Sequence, residues 1–217
     1  MMAEERKINT DGTISCGVFI PIPFWLARQF PDKKKFDDSV PHFTVLYAGN
    51  LSPKDYRRFV GLVAKVARNL RPFQLDLSHY GEFTYSDGLK IAHMTPGFAA
   101  SSRLAILHGM LRRAADDAGV DLEHNYGHES RSNVPYEVKF RPHATLAYLN
   151  PNLAYTGPKP TGSWKVTEIE CWGHEKIRLP LGKLRHDQPI KSMAEALTAR
   201  QRNFADSVVR AIKRQPE

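Results

Sequence analysis

The residues best suited to chemistry in this chain occur twice, in one short pattern. Val40-Pro41-His42-Phe43-Thr44-Val45-Leu46-Tyr47 and Arg141-Pro142-His143-Ala144-Thr145-Leu146-Ala147-Tyr148 each read Pro-His-x-Thr, then an apolar run, then Tyr. The two histidines lie 143 − 42 = 101 residues apart. Side chains alternate faces along a strand, so His42 and Thr44 share one side, as do His143 and Thr145. Phe43, Val45 and Tyr47, like Ala144, Leu146 and Tyr148, are then expected to face a core. Two such strands brought together put two imidazoles and two hydroxyls in one cleft.

That set suits in-line displacement at a phosphodiester. One group must deprotonate the attacker, and another must protonate the leaving oxygen from the opposite side of phosphorus. Histidine titrates near neutral pH, so one imidazole can be neutral while its partner is charged. Thr44 and Thr145 can donate to the non-bridging oxygens, where charge builds in the transition state. Neither role needs a metal.

The other histidines carry less. The chain has nine. A third His-x-Thr, His93-Met94-Thr95, runs into Pro96-Gly97 and lacks the leading proline, so it reads as a coincidence. His124 and His128 are spaced i, i+4, but Gly127 and polar neighbours argue for a loop. With no His-Glu-x-x-His and no Cys-x-x-Cys, no metal site is expected. His79, His174 and His186 show no partner pattern. His108 falls on the apolar side of a helix and reads as a packed core histidine. No Gly-x-Ser-x-Gly, P-loop or dinucleotide fingerprint is present, and no cofactor is expected.

The elements that must position the motifs follow from periodicity. Residues 14–22 read as a first strand, and 24–30 as a short helix. After the first motif strand, at about 42–48, Ser52-Pro53 opens a helix whose stripe is Tyr56, Val60, Val63, Ala67 and Leu70. Residues 73–77 alternate as a strand, which 82–85 are expected to continue beyond Gly81. Ser86-Asp87-Gly88 signals a hairpin turn, with 89–94 returning. Ser101 or Ser102 is expected to cap a second helix with Leu104, Leu107, Leu111 and Ala115 inward, stopped at Gly119. A polar loop covers 123–135, and the second motif strand lies within 138–149. Residues 164–172 alternate as one strand, and 176–181 form its hairpin partner. Residues 192–214 read as a basic amphipathic helix. This order is α+β with antiparallel or mixed sheets.

Composition sets outer bounds. The 217 residues are 41% hydrophobic and 25% charged, with 31 Lys and Arg against 23 Asp and Glu, a net charge of +8. Such a surplus favours a polyanionic partner, a nucleotide or nucleic acid. Two cysteines, Cys16 and Cys171, suggest free thiols in a reducing compartment. No apolar run approaches the roughly 20 residues of a membrane span, and the N-terminus lacks an apolar signal core. A cytoplasmic protein with no membrane partner is expected.

Pro41-His42-Phe43-Thr44 together with Arg141-Pro142-His143-Ala144-Thr145-Leu146 resembles the signature of the two-histidine (2H) phosphoesterases. That superfamily includes RNA 2′,5′-ligase/cyclic phosphodiesterase-like proteins and phage nucleases of the anti-CBASS type. The resemblance covers about residues 14–182. It implies a bilobal α+β fold with pseudo-twofold symmetry, a central cleft and outer helices, with 183–217 as an extension. It implies metal-free cleavage of 2′,3′-cyclic phosphates or of 2′,5′- or 3′,5′-linked, including cyclic, oligonucleotides. His42, Thr44, His143 and Thr145 would be catalytic. In similar cyclic phosphodiesterases the second-motif histidine is often assigned as base and the first as acid, and the roles vary with substrate. Arg141, two residues before His143, is a candidate phosphate ligand. Tyr85, Tyr126 and Tyr136 are candidates for stacking on a base. The alternative is a module that binds or sequesters a nucleotide or RNA in the same cleft without turnover.

Overall fold

The apolar runs resolve, among the described residues, into nine strands and three helices. The structure, a computed structural model, describes residues 9–31, 40–84, 89–122 and 140–182. In order they are β1 (Ile14–Pro21), α1 (Phe24–Ala27), β2 (His42–Leu51), α2 (Pro53–Asn69), β3 (Phe73–Leu77), β4 (His79–Thr84) and β5 (Lys90–Thr95). There follow α3 (Phe98–Asp117), β6 (Ala144–Leu149), β7 (Gly162–Val166), β8 (Glu168–Trp172) and β9 (Lys176–Pro180). The chain divides into two units, Met1–Gly182 and Lys183–Glu217. All described residues belong to the first, and the helix expected over 192–214 lies outside them.

Every strand pairing is antiparallel. One sheet runs β2-β1-β8-β9, a second β4-β5-β6, and β3 with β7 makes a separate ladder. Two expected continuities break here. The stretch 164–172 divides at Thr167, so that β7 pairs with β3 while β8 pairs with β1. Likewise β3 and β4 are separate strands in different ladders, parted at Ser78. At each break two polar residues stand side by side, Thr167-Glu168 and Ser78-His79, so the alternation slips by one where the strand ends.

Local chemistry sets the helix ends. Ser52 Oγ accepts the Asp55 amide at 3.1 Å, and Pro53 occupies the first turn. Tyr56, Phe59, Val60 and Val63 bury the helix on β1, β2, β8 and β9. Helix α3 starts at Phe98, ahead of the expected serine caps. Its cap is Gly97, whose amide donates to both Asp76 carboxylate oxygens at 3.1 and 3.2 Å. A carboxylate from a neighbouring strand thus binds the cap residue's own amide, where a serine cap was expected to accept an amide further into the helix. At the other end, Gly119 adopts φ 62° and Val120 N donates to Ala115 O at 2.9 Å, closing the helix as expected.

The strand β2 runs further than its sequence signal, through Gly49 to Leu51. Gly49 has φ 82°, and the register passes from Gly17↔Tyr47 to Cys16↔Gly49, which leaves Ala48 as a bulge. A left-handed glycine at a bulge lets a strand bend without ending. On β1, Gly17 meets the same region closely. A Cβ there would stand 2.7 Å from the Leu46 carbonyl oxygen and 2.9 Å from the Phe19 ring. Gly17→Ala is therefore expected to lower stability by about 1–3 kcal/mol. Gly61→Ala, in α2 with nothing within 4 Å, is expected to raise it by about 0.5–1 kcal/mol. Denaturant midpoints of the two variants beside wild type check both signs.

Candidate active site

Both motifs lie on sheet edges. β2 ends the four-stranded sheet and β6 ends the three-stranded one. The two strands pack side by side without being ladder partners. His42 begins β2, and His143 immediately precedes β6.

Each motif strand is bulged at the same motif position. In β2 the register steps from Phe19↔Thr44 to Val18↔Leu46, leaving Val45 unmatched. In β6 it steps from His93↔Thr145 to Ala92↔Ala147, leaving Leu146 unmatched. An extra residue shifts the alternation by one, so Tyr47 and Tyr148 return to the face of Thr44 and Thr145. This corrects the expectation that both tyrosines face the core. Tyr148 is 38% exposed, and Tyr47 is half-buried with its hydroxyl 2.7 Å from Ser15 Oγ. Phe43, Val45, Ala144 and Leu146 are buried as expected.

The two imidazoles are anchored alike. His42 Nδ1 lies 2.9 Å from the Val40 carbonyl oxygen, and His143 Nδ1 lies 2.8 Å from the Arg141 carbonyl oxygen. In both cases Nδ1 donates, which leaves Nε2 as the nitrogen that takes or gives a proton. Each ring is also wedged by two others. The His42 ring meets Phe19 at 5.0 Å and 88° and Trp172 at 4.7 Å and 70°, while Phe19 and Trp172 stack at 4.2 Å. Trp172 is fixed in turn by its Nε1–H to Glu170 Oε2 at 2.6 Å, and Arg178 Nε reaches the other Glu170 oxygen at 3.2 Å. His143 meets Phe83 at 5.1 Å and 85°, and His93 at 5.5 Å and 68°.

Burial holds the His143 pKa below the ordinary histidine value. The Arg141 carbonyl opposes this and the neighbouring His93 adds to it. His93 is lowered as well, first by burial, with Ile91 O and Glu82 opposing and the Arg141 charge reinforcing. The Arg141 side chain is exposed beside the second motif. Tyr85, Tyr126 and Tyr136 lie outside the described residues, as do His124 and His128. Among the described residues no group of three or more His, Cys, Asp or Glu side chains is gathered to hold a metal ion.

Sequence reasoning missed Phe19, Trp172 and Glu170, because nothing in a single chain says which strands neighbour the motifs. It set His93 aside, yet β5 carries that residue to within ring contact of His143. His108 was read as a packed core histidine and is one, at 1% exposure. It also bridges the motifs. Its Nδ1 donates to the carbonyl oxygen of Val45, the bulged residue, at 2.6 Å, and its ring stacks on Phe140 at 4.3 Å and 13°. Phe140 leads directly into Arg141-Pro142-His143.

The sequence model of the 2′-5′ RNA ligase superfamily matches residues 25–178, well over half of the chain, and the protein belongs to that superfamily. Among solved structures it is similar to E. coli LigT in apo form, with 19% identity and a TM-score of 0.52 over 78% of this chain and 95% of that one. LigT complexed with phosphate gives 17% and 0.51, and LigT complexed with 3′-AMP gives 18% and 0.50, over the same shares. At these identities the likeness establishes the α+β fold. No curated protein sequence matches. The superfamily places the chain among phosphodiester-processing proteins.

Burial pushes the His108 pKa down to about 4, so the unfolded chain takes up this proton first as pH falls. Stability tied to His108 is complete above about pH 6.5 and falls with acid by about 1.4 kcal/mol per pH unit down to about pH 4. His108→Gln, which keeps an N–H donor, is expected to lose this acid sensitivity, about 3 kcal/mol in all. His108→Leu leaves the Val45 carbonyl buried and unsatisfied, and is expected to cost about 1–3 kcal/mol more than any packing change. Unfolding free energies between pH 8 and pH 4 check both.

Proposed function

We propose that the protein is a metal-independent phosphoric diester hydrolase. Its substrate would be a 2′,3′-cyclic phosphate or a 2′,5′- or 3′,5′-linked oligonucleotide, including cyclic ones. The observation that carries this reading is the pair of identically anchored imidazoles on two edge strands that meet. Domain 14–182 would carry the reaction, and 183–217 would be an extension to it.

In the proposed step His143, the imidazole that burial keeps neutral, accepts a proton from water through Nε2. The water oxygen bonds to phosphorus, and the P–O bond on the opposite side breaks. His42 gives its Nε2 proton to the leaving oxygen. Thr44 and Thr145 donate to the non-bridging oxygens, whose charge grows as the bond order shifts. One water enters, one P–O bond is exchanged for another, and the product is a phosphate monoester. His42 then holds the proton deficit and His143 the excess, and solvent restores both.

Arg141 would bind a phosphate of the substrate, and Tyr85, Tyr126 and Tyr136 would stack on bases. That E. coli LigT has been solved with phosphate, 3′-AMP and NADP+ supports a nucleotide in this kind of cleft. The net charge of +8 supports a polyanionic substrate. The use of only two cysteines, Cys16 and Cys171, both buried and free, supports a reducing, cytoplasmic setting.

The test is hydrolysis of 2′,3′-cyclic nucleotides, cyclic dinucleotides and 2′,5′-linked oligonucleotides, followed by mass spectrometry with and without EDTA. Wild type is expected to turn over at least one class at an EDTA-independent rate. His42→Ala and His143→Ala should each lose about 10²–10⁴-fold in kcat, and Thr44→Ala or Thr145→Ala about 10²–10³-fold. Activity that survives both histidine substitutions sinks the mechanism. Tight binding of a ligand recovered intact would favour sequestration.

A further inference from the structure

Among the described residues the two most exposed large apolar side chains are phenylalanines in matching places. Phe24 is 83% exposed and Phe98 89%. Each is the first residue of a helix, α1 and α3 respectively. Each follows the strand that pairs with a motif strand. β1 ends at Pro21, the partner of His42, and Phe24 comes three residues later. β5 ends at Thr95, one step past the Met94↔Ala144 pair and so level with His143, and Phe98 comes three residues later. Three residues reach about 10 Å at most, so each phenylalanine stands at the histidine end of its own motif.

Contacts join the two places. Ile22 N donates to Pro41 O at 2.8 Å, which holds the entry to α1 beside the lead-in to His42. The Trp25 ring lies against Gly162, where a Cβ would stand 3.2 Å from it. Gly162 pairs with Leu77 of β3. Next to Leu77, Asp76 binds the Gly97 amide, and Phe98 follows directly. Trp25 is itself 46% exposed, and Val40, which precedes Pro41-His42, is 44% exposed. A single exposed apolar side chain is ordinary, but several gathered at one end of a molecule mark a binding surface.

Charge selects the occupant. The segments that meet here are 21–30, 40–44, 95–103, 140–145 and 160–166. They carry Arg28, Arg103, Arg141 and Lys165, all exposed, and no Asp or Glu. The neighbouring Asp76 carboxylate is turned onto the Gly97 amide and the Ser78 hydroxyl. Flat exposed rings set among cations suit unpaired bases on a phosphate backbone.

We infer that this rim binds a single-stranded oligonucleotide, with Phe24 and Phe98 stacking on unpaired bases to either side of the phosphate that the two motifs would hold. The inference rests on the proposed phosphodiester chemistry, and it narrows that substrate to a strand of several nucleotides. A cyclic mononucleotide has one base and cannot serve both rings.

The experiment is fluorescence anisotropy of the full-length protein with 2′-O-methyl phosphorothioate oligonucleotides, from a dinucleotide to an octanucleotide. Wild-type affinity is expected to rise with length. Phe24→Ser and Phe98→Ser should each weaken the octanucleotide about 5- to 150-fold, while Phe24→Tyr and Phe98→Tyr should keep it. Both side chains are exposed, so the serine variants lose no core packing, and the tyrosine variants separate stacking from any effect on folding. Arg28→Gln and Arg103→Gln should each flatten the slope of log affinity against log salt by about 0.7. An affinity that ignores length, or that both serine variants retain, overturns the inference. Binding to vesicles of anionic lipid that the serine variants lose, with no oligonucleotide bound, overturns it in favour of a membrane-facing surface. Length-dependent binding in a protein that cleaves no unmodified phosphodiester loses the hydrolase reading and keeps the rim. Hydrolysis of a 2′,3′-cyclic nucleotide without length-dependent binding loses the rim alone.

Discussion

The hydrogen bond from His108 Nδ1 to the Val45 carbonyl is the contact on which the rest of the site depends. A bulge leaves a carbonyl out of the ladder, and a buried carbonyl without a donor costs about 1–3 kcal/mol. A helix residue supplies that donor. The bulge can therefore persist inside the core, one residue beyond Thr44. It is this bulge that lets two consecutive residues, Val45 and Leu46, both be fully buried, while His42, Thr44 and Tyr47 share the opposite face. Without it, the strand would bury Tyr47 or expose Leu46. The same imidazole stacks on Phe140, so one buried side chain on α3 touches the lead-in of the second motif as well as the bulge of the first.

The two halves of the site share a design and differ in their electrostatics. In each, the ring is pinned by its own strand's carbonyl and wedged by two neighbouring rings, so neither imidazole has rotational freedom to lose on meeting a substrate. Around His42 the wedge is Phe19 and Trp172, held by a buried Glu170 that accepts from the indole. Around His143 one member of the wedge is itself an imidazole. That difference breaks the symmetry between two otherwise matched residues, and the proposed acid–base roles would call for such a break, because acid and base must hold different protonation states at one pH.

The repeated Pro-His-x-Thr was legible because both its residue types and its period-2 spacing are local properties. So were the Ser52 cap, the Gly119 stop and the burial of His108, each set by a few neighbouring residues. What was not legible required partners far along the chain. Asp76 captures the Gly97 amide from another strand and moves the start of α3. Which strands the two parts of 164–172 join, β3 and β1, is decided some ninety to a hundred and fifty residues away. The bulges after Thr44 and Thr145 leave no mark in alternation, since Val45-Leu46 and Leu146-Ala147 read as ordinary apolar runs. The ring contact of His93 with His143 is hidden for the same reason: it comes from standing opposite Thr145, and register across strands is invisible in a single sequence.

Placing both motifs on edge strands has a further physical consequence. An edge strand has one side free of ladder hydrogen bonds, and here two such edges face each other. Because each imidazole is tied to a carbonyl of its own chain segment, the separation between the two Nε2 atoms is fixed by how β2 and β6 sit relative to one another, and by little else. Among the described residues no hydrogen-bond ladder joins β2 to β6. The spacing is set by packing, through α3 against β2 and through the His108 ring between Val45 and Phe140. Packed cores resist small displacements strongly, and in-line chemistry tolerates errors of only about an ångström. A spacing held by a buried aromatic contact meets the tolerance that the proposed phosphodiester chemistry would set.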